Sequence, residues 1–185
     1  MIKKSWEHLT IKQYKDIIAV AKNIEYTELE ALCKMIEVIY EVPYDTLMSM
    51  SIDEIKKYDI TFLKEPIPEF VMPVFTTIDG KKYKIIQFIK DLKFGQFVDL
   101  QLILSKVKDI DDTTEYIDKV VSCFLIDVET NEYIPNIDCS SMPFKDGYGI
   151  MLFFSKFKKK LETIIQYYLR KEEKKRMKEL LLMLK

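Results

Sequence analysis

Apolar residues recur at helical spacing through residues 1–60, and three of these stretches follow a capping sequence. A Thr or Ser precedes a Gln or Glu by three positions at Thr10, Thr27 and Ser51. In such a capping box the hydroxyl accepts from the amide three residues on, so each site predicts a helix start. The predicted helical segments are 10–23, 27–42, a short turn at 43–50, and 51–58. The first two, joined by a short loop, should pack as a helical hairpin.

The pattern changes over residues 61–86, because Pro66, Pro68 and Pro73 cannot lie inside helices and favour extended conformations before them. An aromatic and β-branched run follows at 70–78, then an Asp-Gly turn signal, then a return run at 81–85. This segment predicts a Pro-rich connector and a small β-hairpin. Because two strands alone are marginal, the hairpin must lie on the helices or join a neighbour's strand.

The second half, residues 87–185, returns to helical patterns. The largely apolar segment from Phe94 to Leu104 predicts a buried, central helix. Another predicted helix begins near Asp112 and carries the apolar side chains through Leu125. A loop is expected over 131–143, and the last helix should begin near Tyr148 and extend far beyond the domain, since no later Pro or Gly interrupts it.

These elements predict a mainly α fold with a small β-hairpin, an α+β class, in a single domain of 185 residues. Its parts are a helical part at 1–60, the connector and hairpin at 61–86, and a helical part at 87–185. Hydrophobic residues make up 48% of the chain, which excludes a disordered class.

Charge, hydropathy and cysteine content argue against several classes of partner and site. Twenty-nine basic and thirty acidic side chains nearly cancel, so no overall field attracts nucleic acid or a membrane. The sequence lacks an apolar run of the roughly 18 residues that a membrane span needs. Three cysteines without Cys-x-x-Cys spacing indicate neither a disulfide framework nor a zinc site, and fit a reducing cytoplasm.

Candidate catalytic residues are sparse. His8 is the only histidine, and its position ahead of a helix predicts a local role. The acidic cluster around Asp109 to Asp112 lacks the central Gly and the twelfth-position Glu of a calcium loop, which favours a loop and helix cap. Gly147 and Gly149 lack the Lys and Ser/Thr of a phosphate loop, so they are interpreted as a helix start.

Lysines cluster in the last predicted helix, at Lys156, at 158–160 and again at 171–176. Interspersed Glu residues favour a solvated helix face. An acidic protein partner and DNA phosphates remain the alternatives.

Four segments resemble a known group. The opening Ser-Trp-Glu at 5–7, followed by the Thr10 helix start, resembles small virion and tail-assembly proteins of tailed bacteriophages, especially crAss-like phages. Segments 60–63, 94–101 and 149–154 also resemble recurring segments of that group. The resemblance implies a non-enzymatic ring protein of the portal-tail assembly, without cofactor or metal, made in the host cytoplasm and carried in the neck or tail of the virion.

The implied partners are copies of the chain itself in a ring, twelve-fold if the portal sets the symmetry, together with other portal and tail proteins. DNA would be met only through a tail channel, and no membrane is implied. The same opening is also similar to that of phage tail assembly chaperones. The alternative is therefore a chaperone or small regulatory binding protein that is absent from the mature virion.

The hairpin and the end of the last helix are predicted to contact neighbouring subunits instead of completing a monomer core, because an edge strand and an apolar tail are liabilities in a permanent monomer. The candidate interface residues are Phe70, Val71, Val74, Phe75, Ile78, Leu180, Leu181 and Leu184.

Overall fold

A computed structural model describes residues 3–106 and 113–156 of the chain. The described part is about half helical and contains one three-stranded antiparallel sheet, so the α+β prediction is confirmed. The chain divides into two compact units, Met1–Met151 and Leu152–Lys185. The predicted tail beyond residue 156 lies outside the described residues.

The N-terminal helices form where the capping boxes predict them. They are α1 (Ile11–Lys22), α2 (Glu28–Tyr40), α3 (Tyr44–Met48) and α4 (Ile52–Ile55). The boxes at Thr10, Thr27 and Ser51 are each complete, with the hydroxyl accepting from the third amide of the helix. Helices α1 and α2 pack against each other, which confirms the predicted hairpin.

The start of α1 is bound to a distant loop through backbone groups. The amides of Ile11 and Lys12 donate to the carbonyl oxygens of Met142 and Ser140, both at 3.0 Å. The first amides of a helix have no partner within the helix, so these bonds satisfy two of them. The loop before the last described helix is therefore attached to the N-terminal hairpin.

The sheet consists of β1 (Phe75–Ile78), β2 (Lys81–Ile85) and β3 (Leu125–Asp127), in the order β1-β2-β3. Asp79 and Gly80 make the predicted turn with φ of 49° and 78°. The predicted start of the first strand at Phe70 is wrong. The strand begins after Pro73, whose missing amide and fixed φ disfavour an earlier ladder.

The third strand was not predicted, because residues 124–125 were assigned to a helix. Helix α6 (Thr113–Ser122) ends earlier, through tight bonds from the Cys123 amide to the Val120 carbonyl and from the Phe124 amide to the Val121 carbonyl. The apolar run from Val120 onward carries no periodicity that separates helix from strand. Pairing with β2 places Leu125–Asp127 in a strand, because a two-stranded hairpin is marginal alone and a third strand stabilises it.

The last described helix, α7, covers residues 144–156 and begins before the predicted position. Gly147 and Gly149 therefore lie inside the helix, and interpreting them as a helix start was wrong. A Cβ on Gly147 would lie 2.6 Å from Ile11 Cδ1, and one on Gly149 would lie 3.0 Å from Met72 Cα. These glycines allow α1 and the Pro-rich connector to approach α7 closely.

Aromatic rings join the N-terminus, the connector and α7. Trp6 lies edge-on to Phe62, with ring centroids 5.3 Å apart, and Tyr14 stacks on Phe144 at 4.3 Å. Phe62 belongs to a short 3₁₀ turn, Thr61–Lys64. Similar turns occur at Trp6–His8 and Ile89–Asp91. The remaining helix, α5 (Phe94–Leu104), packs on α6.

Candidate protein-interaction surface

Helix α5 turns its more polar face inward. Gln96 and Leu100 are fully buried, and Asp99 and Ile103 on the same face are partly buried. The spacing i, i+3, i+4, i+7 places all four on one side of the helix. A Gln at the centre of this face requires partners, because an unsatisfied buried amide is costly.

Those partners are present. Gln96 Nε2 donates to the Cys123 carbonyl at 2.9 Å, and Gln96 Oε1 accepts from the Lys93 amide at 2.9 Å. The first bond joins α5 to the end of α6, and the second closes the start of α5. One side chain thus fixes both the position and the rotation of the helix.

A second polar contact holds the same face. The Tyr133 hydroxyl donates to Asp99 Oδ2 at 2.7 Å. Burial and this hydrogen bond raise the pKa of Tyr133 above its ordinary value, so the phenol remains a donor at neutral pH. The loop after β3, which carries Tyr133, is thereby attached to α5.

The opposite face of α5 is apolar and exposed. Its residues, here called the α5 face, are Phe94, Phe97, Val98 and Leu102, exposed by 82%, 40%, 37% and 57% respectively. Their spacing of i, i+3, i+4 and i+8 makes one continuous stripe. The prediction that this helix is buried centrally is wrong, because only its polar-bearing face is buried in the chain.

An exposed stripe of this kind is unfavourable in water. Burial of apolar surface is worth about 25 cal/mol per Å², so a second chain covering four large side chains would gain several kcal/mol in principle. Grooves that bind helices recognise side chains at this spacing. The α5 face therefore has the form of a docking surface for another protein chain.

The hairpin residues predicted as an interface are divided by the structure. Val71, Val74 and Phe75 are exposed by 90%, 50% and 44%. Phe70 is partly buried, and its ring lies edge-on to Phe144 and Tyr148 in the aromatic cluster.

Ile78 is only 3% exposed and packs in the core of its own chain, so its assignment to a subunit contact was wrong. The hairpin as a whole does complete the monomer core, through Ile78, Tyr83 and Ile85, which contradicts the expectation that it would not. Only its outer edge and its solvent face stay open. The predicted interface residues Leu180, Leu181 and Leu184 lie outside the described residues.

The histidine and two of the cysteines have local, structural roles in the described part of the chain. His8 Nδ1 lies 2.8 Å from Ser5 Oγ and accepts from the Ser5 amide at 3.2 Å, closing a single exposed turn. Burial raises the pKa of the Cys123 thiol to about 11 and that of Cys139 to about 12, so both are protonated at neutral pH. Asp109 to Asp112 lie outside the described residues.

A cleft of about 450 Å³ lies between α1, the end of α2 and the 140–141 loop. Its charged side chains are paired within the chain. Lys12 bonds Asp16 at 2.7 Å, and Glu37 bonds Lys34 at 2.8 Å. Across residues 3–106 and 113–156, no group of three His, Cys, Asp or Glu side chains could hold a metal ion. The cleft is therefore a weaker candidate for a functional site than the α5 face.

No family model, curated protein or solved structure matches the chain. Among the described helices, none is long and apolar enough to span a bilayer.

Proposed function

We propose that this chain is a non-enzymatic structural protein of a bacteriophage virion, a ring component of the portal-tail assembly that docks on a neighbouring protein of the particle through the α5 face. The observation that carries the docking is the orientation of α5. Its polar side chains Gln96 and Asp99 are satisfied inside the fold, while Phe94 and Leu102 face solvent.

This orientation supports protein binding over other roles. An apolar stripe without a deep cavity does not enclose a small molecule. Lys93, which precedes Phe94 in the chain, uses its ammonium to donate to the Asn131 carbonyl at 3.2 Å. A groove or face of a second protein that covers the stripe would remove apolar area from water without breaking any contact of the monomer.

The assignment to a phage particle comes from the resemblance of the opening and of segments 60–63, 94–101 and 149–154. One of these segments, 94–101, contains most of the α5 face. A tail assembly chaperone would use the same stripe transiently, on a partner that it later leaves. The two functions therefore differ in where the protein is found, and not in the surface that it uses.

Quantitative mass spectrometry of purified particles distinguishes the functions. A ring protein should be present in a fixed number of copies per particle, in constant ratio to the portal protein. A particle fraction that lacks the protein while the lysate contains it would contradict the ring function and support the chaperone. As a control, particles are washed in high salt, which removes loosely adsorbed host proteins.

A further inference from the structure

We infer that residues 67–71 of one copy pair as an added strand with the outer edge of β1 in a second copy. This contact joins two different surfaces of the chain, a donor segment (67–71) and an acceptor edge (β1). It is independent of the α5 face and goes beyond the proposed function, because it specifies how copies associate with one another.

The acceptor edge follows from the hairpin register. Ile78 pairs with Lys81 across the two-residue turn, and the Ile85 amide donates to the Val74 carbonyl at 2.8 Å. Hydrogen bonding to a given neighbour alternates along a strand. The amides and carbonyls of Phe75 and Thr77 therefore point away from β2, toward the outer edge.

The sheet offers only this edge within the described residues. On the other side, β3 is covered by its own following turn, since the Asp127 amide donates to the Glu132 carbonyl at 3.0 Å and its carbonyl accepts from the Asn131 amide at 2.9 Å. The edge of β1 has no such cover, and its four residues carry no charge that would oppose pairing.

Free amides follow one side of the donor segment, and two prolines interrupt the other side. Pro66 and Pro68 lack amide hydrogens, whereas Ile67, Glu69 and Val71 retain theirs. None of these three makes a hydrogen bond within the described part of the chain. A segment with this alternation can pair along one edge and cannot extend the sheet further.

The connector is already held in place on its other side. Phe70 packs against Phe144 and Tyr148, and the backbone of Met72 lies against Gly149. The Val71 carbonyl carbon shares this contact, at 3.3 Å from a Cβ built on Gly149, whereas the side chains of Glu69 and of Val71, which is 90% exposed, are open to solvent. Part of the conformational entropy of the donor segment is therefore already lost in the monomer, so less is lost when the second copy binds.

One antiparallel register makes the two surfaces complementary. With Val71 opposite Phe75 of the second copy, Glu69 falls opposite Thr77. The first pair buries two exposed apolar side chains. In the second, Lys82 is the cross-strand partner of Thr77, so its Cα lies about 10 Å from that of the incoming Glu69, within the combined reach of the two side chains.

Lys82 is available for this contact. It makes no ion pair with another described residue, and its Nζ already leans over the Phe75 ring, 4.4 Å from the centroid. Because donor and acceptor are different surfaces, each copy can bind one neighbour on each side. Repetition of such a heterologous contact gives a closed ring or an open filament.

Two blocking variants test the inference. Val71→Pro removes an amide hydrogen of the donor segment. Thr77→Pro removes an amide hydrogen of the acceptor edge that the hairpin does not use. Native mass spectrometry and sedimentation velocity of the full chain should show oligomers larger than a dimer for the wild type. Each variant alone should be monomeric, and an equimolar mixture should give a one-to-one dimer and nothing larger. Thr77→Val, which keeps the amide, should behave as the wild type.

The charge pair gives a test that does not disturb the backbone. Glu69→Lys and Lys82→Glu should each weaken association by about two- to fivefold, and the double variant should restore it. A wild-type chain that stays monomeric, or proline variants that associate as the wild type does, would overturn the inference. Association that survives both prolines but is lost with α5 substitutions would overturn it while leaving the proposed function intact, whereas absence from particles would contradict only the latter.

Discussion

The Tyr133 hydroxyl donates a 2.7 Å hydrogen bond to Asp99 and so helps to hold the polar side of α5 toward the protein interior. Together with buried Gln96, it makes the inward face of the helix the more polar one. The helix would bury more apolar surface if it were rotated, but these polar partners would then be lost. The exposed stripe is thus a consequence of specific polar contacts.

Tyr133→Phe should lower the free energy of unfolding by about 1–2 kcal/mol, because it removes the donor and leaves a partly buried carboxylate with one partner fewer. Urea denaturation measures the change. Tyr116→Phe on α6 is the matched control, since no hydrogen bond of that hydroxyl is found among the described residues. Equal stability of the two variants would mean that the Asp99 contact does not hold α5.

Gly149→Ala should destabilise the fold by about 1–3 kcal/mol, because the added methyl would lie 3.0 Å from Met72 Cα and 3.1 Å from its nitrogen. The backbone of the connector would have to move. Gly95→Ala serves as the control in α5, where a Cβ meets nothing within 4 Å and the helix should gain up to about 1 kcal/mol. Thermal melting of both variants checks the difference in sign.

Asp146→Asn should stabilise the protein at neutral pH. Burial raises the pKa of Asp146 above its ordinary value, and the hydrogen bond that its Oδ2 accepts from Thr76 at 2.7 Å opposes the rise only in part. A raised folded-state pKa means that the folded state holds the proton more tightly, so stability falls as pH rises from the unfolded pKa through the folded one.

An Asn at position 146 remains neutral throughout and can still accept from Thr76. The advantage of the variant should therefore be present at pH 7 and vanish at about pH 3, well below the unfolded-state pKa of about 3.9, where the Asp is protonated in both states. Chemical denaturation at several pH values measures it. A variant advantage that grows as the pH falls would show that the sign of the shift is wrong.

Local sequence signals predicted the N-terminal half well. The helix starts at Thr10, Thr27 and Ser51 depend on residues three apart, and the hairpin turn depends on Asp79 and Gly80. Such features act within one turn of chain, so they are visible without the tertiary structure. For the same reason the α+β class could be predicted.

The errors concern features that distant contacts decide. Leu125 lies in a strand because β2 needs a partner, and an apolar run does not show this. The orientation of α5 depends on Tyr133, 34 positions from Asp99 in the chain. Gln96 and Asp99, three residues apart within an apolar segment, were the one available signal that a particular face would be held by polar contacts.

Docking through the α5 face is tested most directly by the incorporation of an α5-face variant into particles. Phe94→Ser combined with Leu102→Ser removes the two most exposed side chains of the stripe, and stability should change by no more than about 0.5 kcal/mol per site. Ile24→Ser combined with Met48→Ser, which replaces two exposed apolar side chains outside α5, is the control. Copies per particle are counted by quantitative mass spectrometry after complementation in infected cells. If the protein docks through the α5 face, the double variant should fold but be largely missing from particles while the control is retained. Equal copy numbers for both would contradict docking through this face.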